Sequence, residues 1–163
     1  MMTDNLKEKL KRTLDLIMAD RHKLVLLIGD FGSGKTQILK ELAAELGAEY
    51  LNLNLVLTDR LLTRPRRDYK DGVTVHRLID EICDERSPDG RILLVDNVEM
   101  LFSPDLGKIN PVETFKRMSR QRPVILALPM RRQGDTIEYS TLDRADHMSI
   151  PLETYPVIDM SEA

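Results

Sequence analysis

Residues 29–36 read Gly-Asp-Phe-Gly-Ser-Gly-Lys-Thr, filling the pattern G-x-x-x-x-G-K-[ST] directly after the apolar run Leu24-Val25-Leu26-Leu27-Ile28. That pattern suits phosphate binding. Its glycines permit backbone angles and close approaches that a Cβ would block. The loop N–H groups can then converge on phosphate oxygens at the positive end of the following helix. Gly29, Asp30, Phe31, Gly32, Ser33 and Gly34 are therefore candidate phosphate-holding residues. Lys35 is the candidate cation for the β- and γ-phosphates, and the Thr36 hydroxyl is a candidate ligand of Mg²⁺. A chance glycine-rich turn is the bland alternative, and it does not account for strand, spacing and helix together.

Asp96 closes a second apolar run, Ile92-Leu93-Leu94-Val95, in the manner of a Walker B strand. A carboxylate there would stand in the shell of Mg²⁺ opposite Thr36. Alone, a strand-end Asp can equally cap the next turn, so its weight comes from pairing with the loop. Asn97 follows; it can orient a water but cannot accept its proton. Glu99 lies two positions further and can take that task, its bland alternative being a solvated loop carboxylate.

These residues need a scaffold. Leu6, Leu10, Leu14 and Ile17 recur at helical spacing and predict an amphipathic helix within residues 1–20, packed by default on its own sheet. After the strand at 24–29, Ile38, Leu39, Leu42 and Leu46 predict a helix over 35–46 that ends at Gly47. A polar, alternating strand is expected at 49–54, and residues 55–72 show no clear pattern. Val75, Leu78, Ile79 and Ile82 predict a helix stopped by the Ser87-Pro88-Asp89-Gly90 turn. A strand at 91–96 comes next, then a helix opened by Asn110-Pro111-Val112-Glu113 and a strand at 124–128. A fifth strand is expected near 136–140, with an irregular tail over 143–163. Apolar strands alternating with helices imply an α/β fold: a mainly parallel five-stranded sheet covered on both faces. Ligands of such sheets bind at the carboxyl ends of the strands, where both the glycine loop and Asp96 fall.

Composition sets outer limits. A chain of 163 residues is expected to form one domain. Its net charge of −3 supplies no general attraction to nucleic acid or anionic membrane. One cysteine, Cys83, excludes an internal disulfide, fits a reducing cytoplasm and reads as a buried inert thiol. The charged start MMTDNLKEKLKRT is not expected to be a secretory leader, and no apolar stretch is long enough to span a bilayer. His22, His76 and His147 show no metal spacing.

The glycine loop, the Asp96 strand and the element between them resemble the additional-strand P-loop ATPases of the AAA+ type. The resemblance implies a three-layer P-loop fold with strand order 5-1-4-3-2 and ATP with Mg²⁺ as cofactors. No guanine-reading N/T-K-x-D motif is present. Departures from that pattern are Asn97 in place of the usual glutamate, and Leu128-Pro129-Met130 without a polar sensor residue. A helical lid domain is not expected either. Slow hydrolysis, or hydrolysis only in an assembly, follows.

More narrowly, Leu94 to Phe102, Asn110-Pro111 and Met118 to Val124 resemble the BrxF-like small P-loop proteins of bacterial BREX phage-defence operons. That resemblance implies a homo-oligomer and other defence-complex proteins as partners.

Arg60, Arg64, Arg66, Arg67 and Lys70 form a basic stretch. In AAA+ topology it would face a central pore, so DNA contact is one expectation, and pairing with Asp59, Asp68 and Asp71 is the other. Arg131 and Arg132 stand where such rings place a trans-acting arginine, with Arg120 and Arg122 as weaker candidates. Three functional classes remain open from the sequence: an ATPase, a small-molecule or nucleotide kinase, and a non-hydrolysing ATP-binding scaffold.

Overall fold

The computed structural model describes residues 2–162. Helix α1 (Met2–Ile17) buries Leu6, Leu10, Leu14 and Ile17. Strand β1 (Leu24–Ile28) is buried throughout and leads through the glycine loop into α2 (Lys35–Leu46). Gly47 ends α2 in the left-handed region at φ 64°, its N–H returning to the Ala43 carbonyl. β2 (Glu49–Asn52) passes straight into α3 (Leu53–Leu61), because the Asn52 side chain accepts the Leu55 N–H and caps the helix. The unpatterned segment 55–72 is thus the body of α3 followed by a 3₁₀ turn at Arg66–Lys70.

Asp71 caps α4 (Gly72–Arg86), and β3 (Leu93–Asp96) follows, two residues shorter than expected at its start. Asn110 accepts from the Val112 and Glu113 N–H groups to open α5 (Pro111–Met118), which leads to β4 (Val124–Leu128). The remaining strands are β5 (Arg131–Gln133), β6 (Thr136–Tyr139), β7 (Met148–Pro151) and β8 (Val157–Asp159).

The main sheet has the order β8-β1-β4-β3-β2, and every neighbouring pair is parallel. Alternation along the strands makes the layers. Leu24, Leu26 and Ile28 face α3, α4 and α5, while Val25 and Leu27 face α1 and α2. On β4, Val124, Leu126 and Leu128 take the first side, Ile125 and Ala127 the second. Helices thus cover both faces of a mainly parallel five-stranded sheet. Lys7 and Lys11 hold α1 to α2 through Glu45, at 2.8 and 2.9 Å.

Two expectations are corrected. The fifth strand of the main sheet is β8, not the segment near 136–140. Residues 136–139 instead form the centre of a separate antiparallel sheet, β5-β6-β7. Over 143–162 the tail supplies β7 and β8, with Ile150, Leu152 and Ile158 buried, where the sequence predicts an irregular segment; residue 163 lies outside the described residues. Short strands with three or four residues carry too little periodicity to be seen in sequence. Ile137 and Ile150 anchor the small sheet on the α3–α5 side, and Tyr139 stacks on Phe102 with ring centroids 4.0 Å apart. Among the described residues, no helix is long and apolar enough to cross a membrane.

Candidate functional site

β1 and β3 both flank β4, so their carboxyl ends lie side by side. That adjacency brings Thr36, at the start of α2, to Asp96, at the end of β3: the hydroxyl donates to Asp96 Oδ2 over 2.6 Å. Tyr50 on β2 donates its hydroxyl to the same oxygen at 2.8 Å, and the Asn97 N–H donates to Oδ1 at 3.0 Å. Asp96 is 4% exposed, so its carboxylate is compensated almost wholly by these three donors. Burial, then the bond to Asp96, pushes the Tyr50 phenol well above its usual range and keeps it a donor.

Lys35 is 8% exposed. Its ammonium donates to the Gly29 carbonyl at 2.6 Å, the Asp30 carbonyl at 2.8 Å and Ser33 Oγ at 3.2 Å. Burial lowers the pKa of this ammonium, and the Asp96, Glu99 and Asp30 carboxylates oppose the shift. Gly32 and Gly34 turn the loop at φ 75° and 99°, angles where other residues are strained. A Cβ on Gly29 would lie 2.8 Å from Ser33 Oγ and 2.9 Å from the Met160 side chain, which is why the loop closes only on glycine.

Beyond Asp96 the chain turns at Asn97, whose φ of 55° is a left-handed angle that asparagine tolerates. The turn delivers Glu99 to the same cleft. Asn54 holds it: its Nδ2 donates to Glu99 Oε2 at 2.6 Å, while its Oδ1 accepts the Met100 N–H at 3.2 Å. The Asn54 N–H also donates to the Asn97 carbonyl at 2.8 Å. Sequence reasoning missed Tyr50 and Asn54. The available signal was the polar alternation Tyr50-Asn52-Asn54 in the strand expected at 49–54.

Phe31, Gly34, Lys35, Thr36, Asp96, Asn97, Glu99 and Pro129 line one cleft of about 520 Å³. Phe31 is exposed at its edge, and Leu128 and Met130 turn inward to the core. Among the described residues, no three His, Cys, Asp or Glu side chains gather as a metal site.

The arginines fall in different places. Arg131 forks Asp30 of its own loop, through Nε at 2.7 Å and a terminal nitrogen at 3.0 Å. This bond, ahead of simple charge attraction, holds the Asp30 carboxyl below its usual range. Arg132 is exposed on β5 and donates to the Gly134 carbonyl at 3.3 Å. Arg120 and Arg122 lie away from this chain's own cleft. Arg122 is buried against Asp84 at 2.9 Å, and Arg120 meets His22 at 3.0 Å, both by the amino ends of β1 and β4.

Of the basic stretch, Arg60 pairs with Glu85 and Arg64 with Asp68 at 3.6 Å, whereas Asp71 caps α4. Arg66, Arg67 and Lys70 are exposed and make no ion pair among the described residues. Cys83 is buried, and burial pushes its thiol up to about 12.

No family model matches the chain, and no curated protein does. Among solved structures it is similar to C. elegans PCH-2, with 20% identity and a TM-score of 0.48. The match covers 97% of this chain and 42% of that one, so the chain spans about two fifths of the length of that structure.

Proposed function

We propose that this domain binds ATP with Mg²⁺ and hydrolyses it slowly, as a subunit of an oligomer or of a multi-protein phage-defence complex. The observation that carries the reading is the 2.6 Å contact between Thr36 Oγ1 and Asp96 Oδ2 beneath the glycine loop. Two hard oxygen donors at that point suit Mg²⁺, which takes one or two protein oxygens and completes its shell with substrate phosphates and water. The Thr36 hydroxyl and the Asp96 carboxylate would hold the metal, which when bound supplies charge neutralisation for the phosphates.

The chain's own residues do the rest. Loop N–H groups and the N-terminus of α2 receive phosphate oxygens. The Lys35 ammonium exchanges the loop carbonyls for the β- and γ-phosphates. Glu99, steadied by Asn54, accepts the proton of the attacking water, and the Asn97 amide orients that water. The oligomer and the defence complex are supported by the residue resemblances alone, as is adenine over other bases.

A second reading, phosphoryl transfer to a small acceptor, is favoured by one observation. A neighbouring cleft of about 510 Å³, lined by Arg131, Tyr139 and Arg144 among others, shares Phe31 and Pro129 with the first.

The deciding experiment is Mg²⁺-dependent ATP turnover over a wide range of protein concentration, with Lys35→Ala as control. Lys35-dependent phosphate release is the expected result. A rise steeper than proportional to concentration indicates completion of the site by a neighbouring copy. ATP binding without phosphate release at any concentration overturns hydrolysis and leaves the scaffold. Consumption of ATP only when a small acceptor is added selects the kinase.

A further inference from the structure

A second cleft, of about 660 Å³, runs between the first turns of α4 and α5 and along α5 to the turn beyond it. It shares no residue with the cleft at Thr36 and Asp96. His76 ties the two helices in its wall, one ring nitrogen against the Gly72 carbonyl at 2.8 Å and the other against the Thr114 hydroxyl at 3.2 Å. The charged residues on its banks are Lys108, Lys116, Arg117 and Arg120, with Glu113 the one carboxylate.

Three observations give this cleft a ligand class. First, its cations converge. Arg120 Nε donates to His22 Nε2 at 3.0 Å, with Lys116 lining the same cleft; burial first, then the charges of Arg120 and Lys116, lowers the His22 pKa. Second, the basic stretch that the sequence singles out adjoins one end of the cleft, at Gly72 and Gly107. Gly107 lies beside the Arg66–Lys70 turn: a Cβ on it would be in ordinary contact, 3.8 Å, with the Lys70 carbonyl. Arg66, Arg67 and Lys70, exposed and without an ion pair among the described residues, stand on that adjoining turn. Third, no exposed large apolar side chain lines the cleft; Ile109 is 7% exposed. A protein partner would want apolar anchors in a pocket, whereas a phosphodiester backbone needs only cations and polar donors.

We propose that this track binds the sugar–phosphate backbone of a nucleic acid, independently of base sequence and of the nucleotide cleft. Lys108, Lys116 and Arg120 take phosphates along α5, and Arg66, Arg67 and Lys70 carry the strand on past α4. Arg117, held by Asp80 at 3.1 Å, stands as a flanking charge. The net charge of −3 supplies no general attraction of its own, so binding would rest on these named cations.

Fluorescence anisotropy of a 5′-labelled 20-nucleotide single strand, titrated with the full chain, tests it. With about five phosphate contacts, affinity should fall roughly a hundredfold between 50 and 200 mM salt. The variant Lys108→Gln/Lys116→Gln/Arg120→Gln should weaken binding at least about tenfold, and Arg66→Gln/Arg67→Gln severalfold. Arg91→Gln, a surface arginine off the track and paired to Asp89, should change nothing. Circular dichroism melting of each variant shows that the fold is kept; should the triple variant unfold, Lys108→Gln alone, at an exposed position, replaces it. Lys35→Ala should bind the oligonucleotide like the wild type, which separates this result from the fate of the ATP reading. No binding at 50 mM salt, binding that the track variants leave unchanged, or displacement by polyglutamate as efficient as by unlabelled oligonucleotide would overturn the proposal.

Discussion

Arg131 closes on Asp30 as a two-pronged ion pair, 2.7 and 3.0 Å, that joins the strand after β4 to the second residue of the glycine loop. The pair is well exposed on both sides, so it adds little to global stability. Its effect is local: it neutralises the carboxylate of the second residue of the glycine loop.

Arg131→Ala should therefore leave the melting temperature unchanged and weaken binding of a fluorescent ATP analogue roughly twofold to fivefold. Arg131→Ala/Asp30→Asn should recover most of that loss, because no bare carboxylate remains. The Asp30 pKa is depressed, so the pair is intact above the ordinary value of 3.8 and fades as pH falls through the lower folded one. The Arg131→Ala defect should accordingly be constant from about pH 6 to 9. Equal loss in the single and double variants would show that Arg131 itself touches the nucleotide.

Glu99 and Asn54 give a sharper test of chemistry against binding. Glu99→Gln should cut ATP turnover by about 10²–10⁴ while ATP affinity holds. Asn54→Ala frees the carboxylate and should lower kcat by about ten- to a hundredfold, with KM little changed. Wild-type turnover in Glu99→Gln would leave the water to Asn97 alone.

Cys83 reports on the core. Its thiol pKa is raised from 9.0 to about 12 by burial, so the folded state keeps a proton that the unfolded state releases. That contribution is complete below about pH 9 and is lost as pH rises from there toward 12. Urea denaturation should show wild-type stability falling across this alkaline window more steeply than in Cys83→Ala. Labelling by a thiol reagent at pH 8 should proceed at the rate of global unfolding. Fast labelling of the folded protein would contradict the buried placement.

The C-terminal segment is an edge of the main sheet, and Ile158 pairs with Leu27 of β1 while its side chain is 2% exposed. Ile158→Ala should cost about 2–5 kcal/mol in denaturant unfolding. Leu142→Ala, at a position 87% exposed, should stay within about 0.5 kcal/mol of wild type. Similar stability for both variants would mean that β8 contributes nothing to the sheet.

By itself the sequence determined what is local. The glycine loop, the apolar β1, β3 and β4, the capped start at Asn110 and the stop at Gly47 are all written in neighbouring residues, because propensity, capping and alternation act over a few positions. It also determined the candidate pair Thr36 and Asp96, since each lies just at or beyond the carboxyl end of an apolar strand. Tertiary structure decided whatever joins distant segments. That Tyr50 braces Asp96, that Asn54 rather than solvent holds Glu99, and that Arg131 turns onto Asp30 depend on strand order and loop path. The choice of β8 over the 136–140 segment as the fifth strand was settled the same way. β8 is too short to show a period, and burial of Ile158 against α1 and α2, with Ile137 taken by the opposite layer, selects between them.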